Sequence, residues 1–264
     1  MPNLPPTHGC TVETRDGTRL FYKDWGTGDP VVFLATRAQS SDMWQYQMLR
    51  MIQQGLRCIA YDRRGHGRSD QPGSGYDYDT LADDLAALLD KLDLRDVTLV
   101  GHSMGGGEII RYLTRYRLQR VSQAVFLASA TPFLQKTPDN PNGFPRDVLD
   151  ATANAIGIDF PKWVADIQDP YFGPNATQQM KQWSAAMALQ TTVLAAVALD
   201  RAIANADFRE ELKAISIPCL VIHGDKDIFT PLDLCGRQTA DRISGSHLLI
   251  YELSLIHISE PTRP

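Results

Sequence analysis

The chain has 264 residues, 43% of them hydrophobic and 22% charged, with a formal net charge of −5. That length suits one α/β domain with an inserted lobe, and the composition is ordinary for a globular protein. Mild acidity without a Lys/Arg cluster argues against a nucleic-acid partner, and no apolar run nears the ~18 residues of a membrane span.

The opening "MPNLPPTHGCTVETRDG" lacks the charged and apolar regions of a signal peptide, so a cytoplasmic location is expected. The cysteines, Cys10, Cys58, Cys219 and Cys235, fit no zinc spacing. Cys58 and Cys219 lie in apolar runs and read as free core thiols. In chain order, "RLFYKDWG" and "DPVVFLA" read as strands, "DMWQYQMLRMIQQG" as a helix ended by Gly55, and "LRCIAYD" as a buried strand. "YDYDTLADDLAALLDKLDL" places Leu81, Leu85, Leu88, Leu89 and Leu92 at helical spacing. "VTLVGHS" is a strand that stops in a glycine turn, "MGGGEIIRYLTRY" the helix after it, and "SQAVFLASA" another strand. This alternation predicts a mainly parallel sheet covered by helices on both faces.

From Thr131 to about Leu212 the pattern turns helical and aromatic, with "FPKWVADI", "QQMKQWSAAMALQ" and "TTVLAAVALDRAI" as helical pieces. The strand pattern resumes at "IPCLVIHGDKD", followed by a helix in "DLCGRQTADRI" and a last strand in "SHLLIYE". The predicted organisation is an α/β core over 1–130 and 213–252, a helical lid inserted over 131–212, and a separate tail over 253–264.

The sharpest chemical signal is Gly101-His102-Ser103-Met104-Gly105, a G-x-S-x-G directly between a strand and a helix. That context defines a nucleophile elbow: the serine stands clear of the sheet on a strained turn, and flanking glycines leave room for it. The helix N-terminus then aims N–H groups at a developing oxyanion. A serine hydroxyl needs a base oriented by a carboxylate, in the chain order serine, acid, histidine. "LVIHGDKDIFTP" supplies two acids at the same sheet edge. Asp225 follows glycine at once and is read as holding the turn; Asp227, further out, is read as the triad acid.

With these pieces the chain resembles an α/β-hydrolase, and in particular the cofactor-free arylesterase and non-haem chloroperoxidase (perhydrolase) group. The matching segments are "DMWQYQM", "CIAYDRRGHGRSDQP", "YDYDTLADDLAALL", "VTLVGHSMGGGE", "TPFLQKTPDNPNGFP", "DFPKWVADI" and "LVIHGDKD". The resemblance implies a triad with Ser103 as nucleophile and Asp227 as acid, and no metal or organic cofactor. In "DRRGHGRSD" the glycine-rich turn and His66 read as structural, since the Lys-Ser/Thr of a phosphate loop is missing. His102 and His223 read as packed histidines. Trp163, Trp183, Met180 and Met187 either line an acyl pocket or form the core of the lid.

Two stretches depart from the family pattern. In "FLATRAQSSDMW" Arg37 stands where the family carries tryptophan after its first oxyanion strand. Backbone N–H groups of Arg37 and Met104 can still form the oxyanion hole. The guanidinium either selects acidic or polar substrates or swings to solvent. Ala38 stands where chloroperoxidase-like members often carry proline, which tilts the reading toward ester hydrolysis. The second departure is "LSLIHISEPTRP", which resembles a translated sequencing adapter. It replaces the family's histidine loop and closing helix, which is expected to be missing. His257 is then the candidate base after Asp227, one residue later than the family loop would put it. His247 sits at the wrong end of the last strand. A missing helix would expose apolar sheet, favouring aggregation or a homo-oligomer. The expectation is a serine hydrolase acting on a small-molecule ester, with perhydrolase chemistry or a ligand-binding dead fold as rivals.

Overall fold

The computed structural model describes residues 10–116, 120–174 and 176–252. The first half runs β1 (Thr11–Glu13), β2 (Arg19–Trp25), β3 (Pro30–Leu34), a 3-10 turn (Ser41–Trp44) into α1 (Gln45–Ile52), and β4 (Arg57–Tyr61). Next come α2 (Tyr78–Lys91), β5 (Val97–His102), α3 (Met104–Arg115) and β6 (Val121–Leu127). A helical segment follows: α4 (Arg146–Ile158), α5 (Phe160–Phe172), α6 (Gln178–Ala188), α7 (Val193–Asn205) and α8 (Arg209–Lys213). The chain then returns through β7 (Cys219–Gly224), α9 (Gly236–Arg242) and β8 (His247–Tyr251). β1, α4 and α8 add to the elements named from the sequence. β1 is too short to show a period, and α4 follows directly on a Pro- and Asn-rich loop.

The eight strands form one sheet in the order β1-β2-β4-β3-β5-β6-β7-β8. The pairs β1–β2 and β2–β4 are antiparallel, and every pair from β4 to β8 is parallel. Side chains alternate across the sheet. Val31 and Phe33 cluster with Trp44 and Met48 on one face. Val32 and Leu34 cluster with Leu81 and Leu85 of α2 and Ile109 of α3 on the other. Leu81, Leu85, Leu88 and Leu89 are all fully buried, which is what their helical spacing predicts. Among the described residues no single helix is long and apolar enough to cross a membrane.

The chain goes from β3 to β4 on one side and then crosses to β5 on the other. Strand order therefore reverses between β3 and β5, and ligands in open α/β sheets bind in the crevice at such a point. Arg37 follows β3 and Ser103 follows β5, so this crevice is where both lie. The "DRRGHGRSD" turn supports it from beneath. Arg63 Nε donates to Glu108 Oε1 of α3 at 2.8 Å, and its Nη2 donates to the Ala35 carbonyl at 2.7 Å. Arg64 donates to both oxygens of Asp84 in α2. His66 is fully buried, its Nδ1 2.9 Å from the Arg64 carbonyl, and burial pushes its pKa down to about 3.

Candidate active site

Ser103 follows β5 and caps α3 with φ 54° and ψ −114°, a left-handed backbone that a serine adopts only under constraint. Three hydrogen bonds hold it there. Its N–H donates to the Leu127 carbonyl at 3.0 Å, and its carbonyl accepts from Gly106 and Ala130 at 3.2 and 3.1 Å. The turn closes only because its neighbours lack side chains. A Cβ on Gly101 would lie 2.6 Å from the Gly105 backbone, and one on Gly105 would lie 2.7 Å from the Leu34 carbonyl. Met104 opens α3, so its N–H has no acceptor within the helix.

Asp227 follows β7 and is buried at 5% exposure. Its Oδ1 accepts from the N–H groups of Phe229 and Thr230 at 2.9 and 2.8 Å, and Oδ2 accepts from the Thr230 hydroxyl at 2.7 Å. Burial pushes its pKa up, against the pull of those donors. Asp225 instead lies in the turn against β8, its N–H bonded to the Tyr251 carbonyl at 3.2 Å. His223 is fully buried behind this loop. Its Nε2 is 2.6 Å from the Thr230 carbonyl, so that nitrogen carries the proton, and burial keeps the ring neutral. His223 therefore braces the acid loop. His102 packs edge-on to Trp44 and Tyr171, at 6.4 and 6.5 Å between ring centroids. His247 pairs with Leu220 near the start of β7, the edge opposite Ser103. His257 and the whole 253–264 tail lie outside the described residues.

A cavity of about 300 Å³ opens over Ser103. Its floor comes from the loops after β3, β5, β6 and β7, including Thr36–Gln39, His102, Ser103, Ala128 and Ile228–Thr230. Its roof comes from the helical segment, through Leu134, Val148, Trp163, Tyr171, Ser184, Ala188 and Asp200 among others. Of Trp163, Trp183, Met180 and Met187, read from the sequence as lining an acyl pocket or forming the lid core, Trp163 lines this wall. Met180, Trp183 and Met187 do not. On α6 the cavity-facing stripe is Ser184 and Ala188, each one residue later, and a helix turns about 100° per residue. Trp183 packs edge-on against Tyr46 instead, with centroids 5.8 Å apart. Met187 is buried, 4% exposed, away from the cavity.

Arg37 neither swings to solvent nor stands unpaired. Its guanidinium forms an ion pair with Asp200 of α7, and its Cζ lies 4.9 Å from the Trp163 ring centroid. Burial pushes its pKa down to about 10, so it stays cationic at neutral pH. Among the described residues no hydrogen bond uses the Arg37 N–H, as an oxyanion donor requires. Ala38 adopts φ 56°, and the Gln39 amide donates to the Ser184 hydroxyl and carbonyl at 3.0 and 3.2 Å. Asp200 was not singled out from the sequence. Its signal is an acid set among the alanines and leucines of "VLAAVALDRAIAN", 5% exposed in the fold.

A strained serine between strand and helix, an acid after a later parallel strand, and a helical roof define the α/β-hydrolase class. The family model of the alpha/beta hydrolase fold matches residues 29–249, and the chain belongs to that family. It is 44% identical over 248 residues to a non-heme chloroperoxidase of Kitasatospora aureofaciens, covering 92% of this chain and 90% of that one. It is 36% identical to a bifunctional esterase/perhydrolase of Acinetobacter calcoaceticus, with 91% and 90% covered. Among solved structures, an esterase from Exiguobacterium antarcticum superposes with a TM-score of 0.91 at 30% identity, covering 94% and 92%. The chain is thus similar to proteins named for ester hydrolysis and for haloperoxidase chemistry alike.

Proposed function

We propose that the chain is a serine hydrolase that cleaves small carboxylic esters through an acyl-enzyme. The observation that carries the reading is Ser103, strained at φ 54° beneath a cavity of about 300 Å³ with the Asp227 loop in its wall. Ser103 Oγ attacks the ester carbonyl while His257 takes its proton. The tetrahedral oxyanion is held by the N–H groups of Met104 and Arg37. His257 passes the proton to the departing alcohol, leaving an acyl-serine. Water then attacks, its proton goes to His257 and on to Ser103, and the carboxylic acid leaves. Asp227 orients the imidazole and stabilises its cationic form. This chemistry asks for no metal or organic cofactor, and its partner is a small ester.

The test is an ester assay of the chain beside Ser103→Ala and His257→Ala. Loss of turnover in both supports the roles. Equal, non-zero rates for the chain and His257→Ala refute the role of His257.

The second reading is perhydrolysis, with hydrogen peroxide replacing water on the same acyl-enzyme to release a peracid. The 44% identity to a chloroperoxidase favours it. Ala38 supports hydrolysis: proline fixes φ near −65°, and this loop runs through φ 56°. Acid and peracid formation from one acyl donor, measured side by side, separates the two.

A further inference from the structure

Among the described residues, the cavity wall carries two charged side chains, Arg37 and Asp200. They come from different layers. Arg37 sits on the loop after β3, beside the nucleophile; Asp200 hangs from α7 in the roof. Their side chains are 19% and 7% exposed, so the pair is largely out of water. Trp163 of α5 covers the guanidinium from one side. Tyr78 and Tyr171 are the other polar groups felt by Arg37, and burial raises the pKa of both phenols, so they stay neutral. The other lining side chains are uncharged, with Leu134, Ile203 and Ala204 among the apolar ones.

A lone guanidinium here would recruit an anionic substrate. Paired with Asp200 it cannot do so freely. An incoming carboxylate would have to displace Asp200, which would leave that acid buried without its partner, or sit beside it as a like charge. Either outcome weakens binding of the anion in a desolvated site. A neutral group meets no such cost, and can bond to the guanidinium donors that Asp200 leaves unused.

We propose that Asp200 is a specificity-determining residue that neutralises Arg37, so that the cavity over Ser103 accepts neutral esters and rejects esters whose acyl chain ends in a carboxylate. The inference rests on the ester-hydrolase reading for its kinetic readout and on the Arg37–Asp200 pair for its physics. Loss of either partner reverses the selection. With Asp200 neutral, Arg37 is free to take an anionic acyl end. With Arg37 neutral, Asp200 is free to take a cationic one.

The experiment compares kcat/KM on three esters of like size: monomethyl glutarate (anionic), methyl 4-carbamoylbutanoate (neutral) and methyl 5-aminopentanoate (cationic). The wild-type chain is expected to favour the neutral ester over the anionic one by about a hundredfold. Asp200→Asn should move that ratio toward the anion by about tenfold or more, and Arg37→Gln should raise relative activity on the cationic ester by a similar factor. A structural role alone would lower all three rates in common, so the opposite shifts are diagnostic, even if one variant is poorly folded. Wild-type preference for the anionic ester overturns the proposal, as does a ratio within about threefold of wild type in folded Asp200→Asn. If no ester turns over, the hydrolase reading falls by itself. Calorimetry with glutarate then decides the pair: about tenfold tighter binding to Asp200→Asn than to wild type upholds it, and unchanged binding overturns it.

Discussion

Replacing Arg63 by methionine probes the support beneath the site. Arg63 is 2% exposed and Glu108 fully buried. Arg63 Nε donates to Glu108 Oε1 at 2.8 Å, Nη2 also pairs with that oxygen, and the Tyr61 hydroxyl donates to Oε2 at 2.9 Å. Arg63→Met leaves the carboxylate with the tyrosine alone. Breaking a buried pair from one side costs about 3–5 kcal/mol, because a charge stays behind without its partner. The cost depends on pH. Burial already holds the Glu108 carboxyl above its usual value while Arg63 pulls it down, so removing Arg63 raises it further. A carboxyl with a raised folded pKa binds its proton more tightly in the folded chain. The deficit is therefore smallest below about pH 4 and grows as pH climbs through the raised value. Urea unfolding followed by near-ultraviolet circular dichroism at pH 5 and pH 8 measures it. Arg63→Met/Glu108→Leu should recover most of the loss, since an apolar pair of similar volume has no charge to strand. Turnover should still fall in the double variant, because Arg63 Nη2 holds the Ala35 carbonyl at 2.7 Å, two residues before Arg37. A deficit under about 1 kcal/mol at pH 8, a deficit equal at both pH values, or no recovery in the double variant refutes the reasoning.

Asp227→Asn should lower kcat by about 10³–10⁴-fold with the fold intact, whereas Asp225→Asn should stay within about threefold of wild type; ester kinetics on both tell the triad acid from the turn acid. Gly236→Ala places a Cβ 2.6 Å from His223 Nδ1 and 3.0 Å from its Cβ, so it should cost about 1–3 kcal/mol in urea unfolding through the brace of the acid loop. His66, neutral in the fold down to about pH 3 but titrating near 6.5 when unfolded, should make stability fall with acidification across that window. His66→Leu should flatten that limb of the stability curve, and an unchanged limb would remove His66 from the account.

The fold was legible because its elements carry their periods openly. "VVFL" and "CIAY" are continuous apolar runs, as strands buried on both faces must be, and the leucines of α2 mark one helix face. β1 escaped because three residues hold too little of a period-two pattern. The elbow was legible because G-x-S-x-G needs only its flanking strand and helix to be recognised. The pocket was much less so. Whether Trp163 or Trp183 meets substrate depends on how α5 and α6 rotate against the sheet, and no local pattern fixes that rotation. The role of Arg37 was hidden for a similar reason. Its partner is Asp200, far along the chain on α7, and only tertiary packing brings the two together.

Catching the acyl group on Ser103 tests the acyl-enzyme route most directly. The chain is mixed with an activated ester, quenched in acid within the first turnovers, digested and read by mass spectrometry. An acyl adduct is expected on the peptide carrying "GHSMGG", mapped to Ser103 and absent from Ser103→Ala. Turnover without any adduct there, or an adduct that persists in Ser103→Ala, would contradict that route.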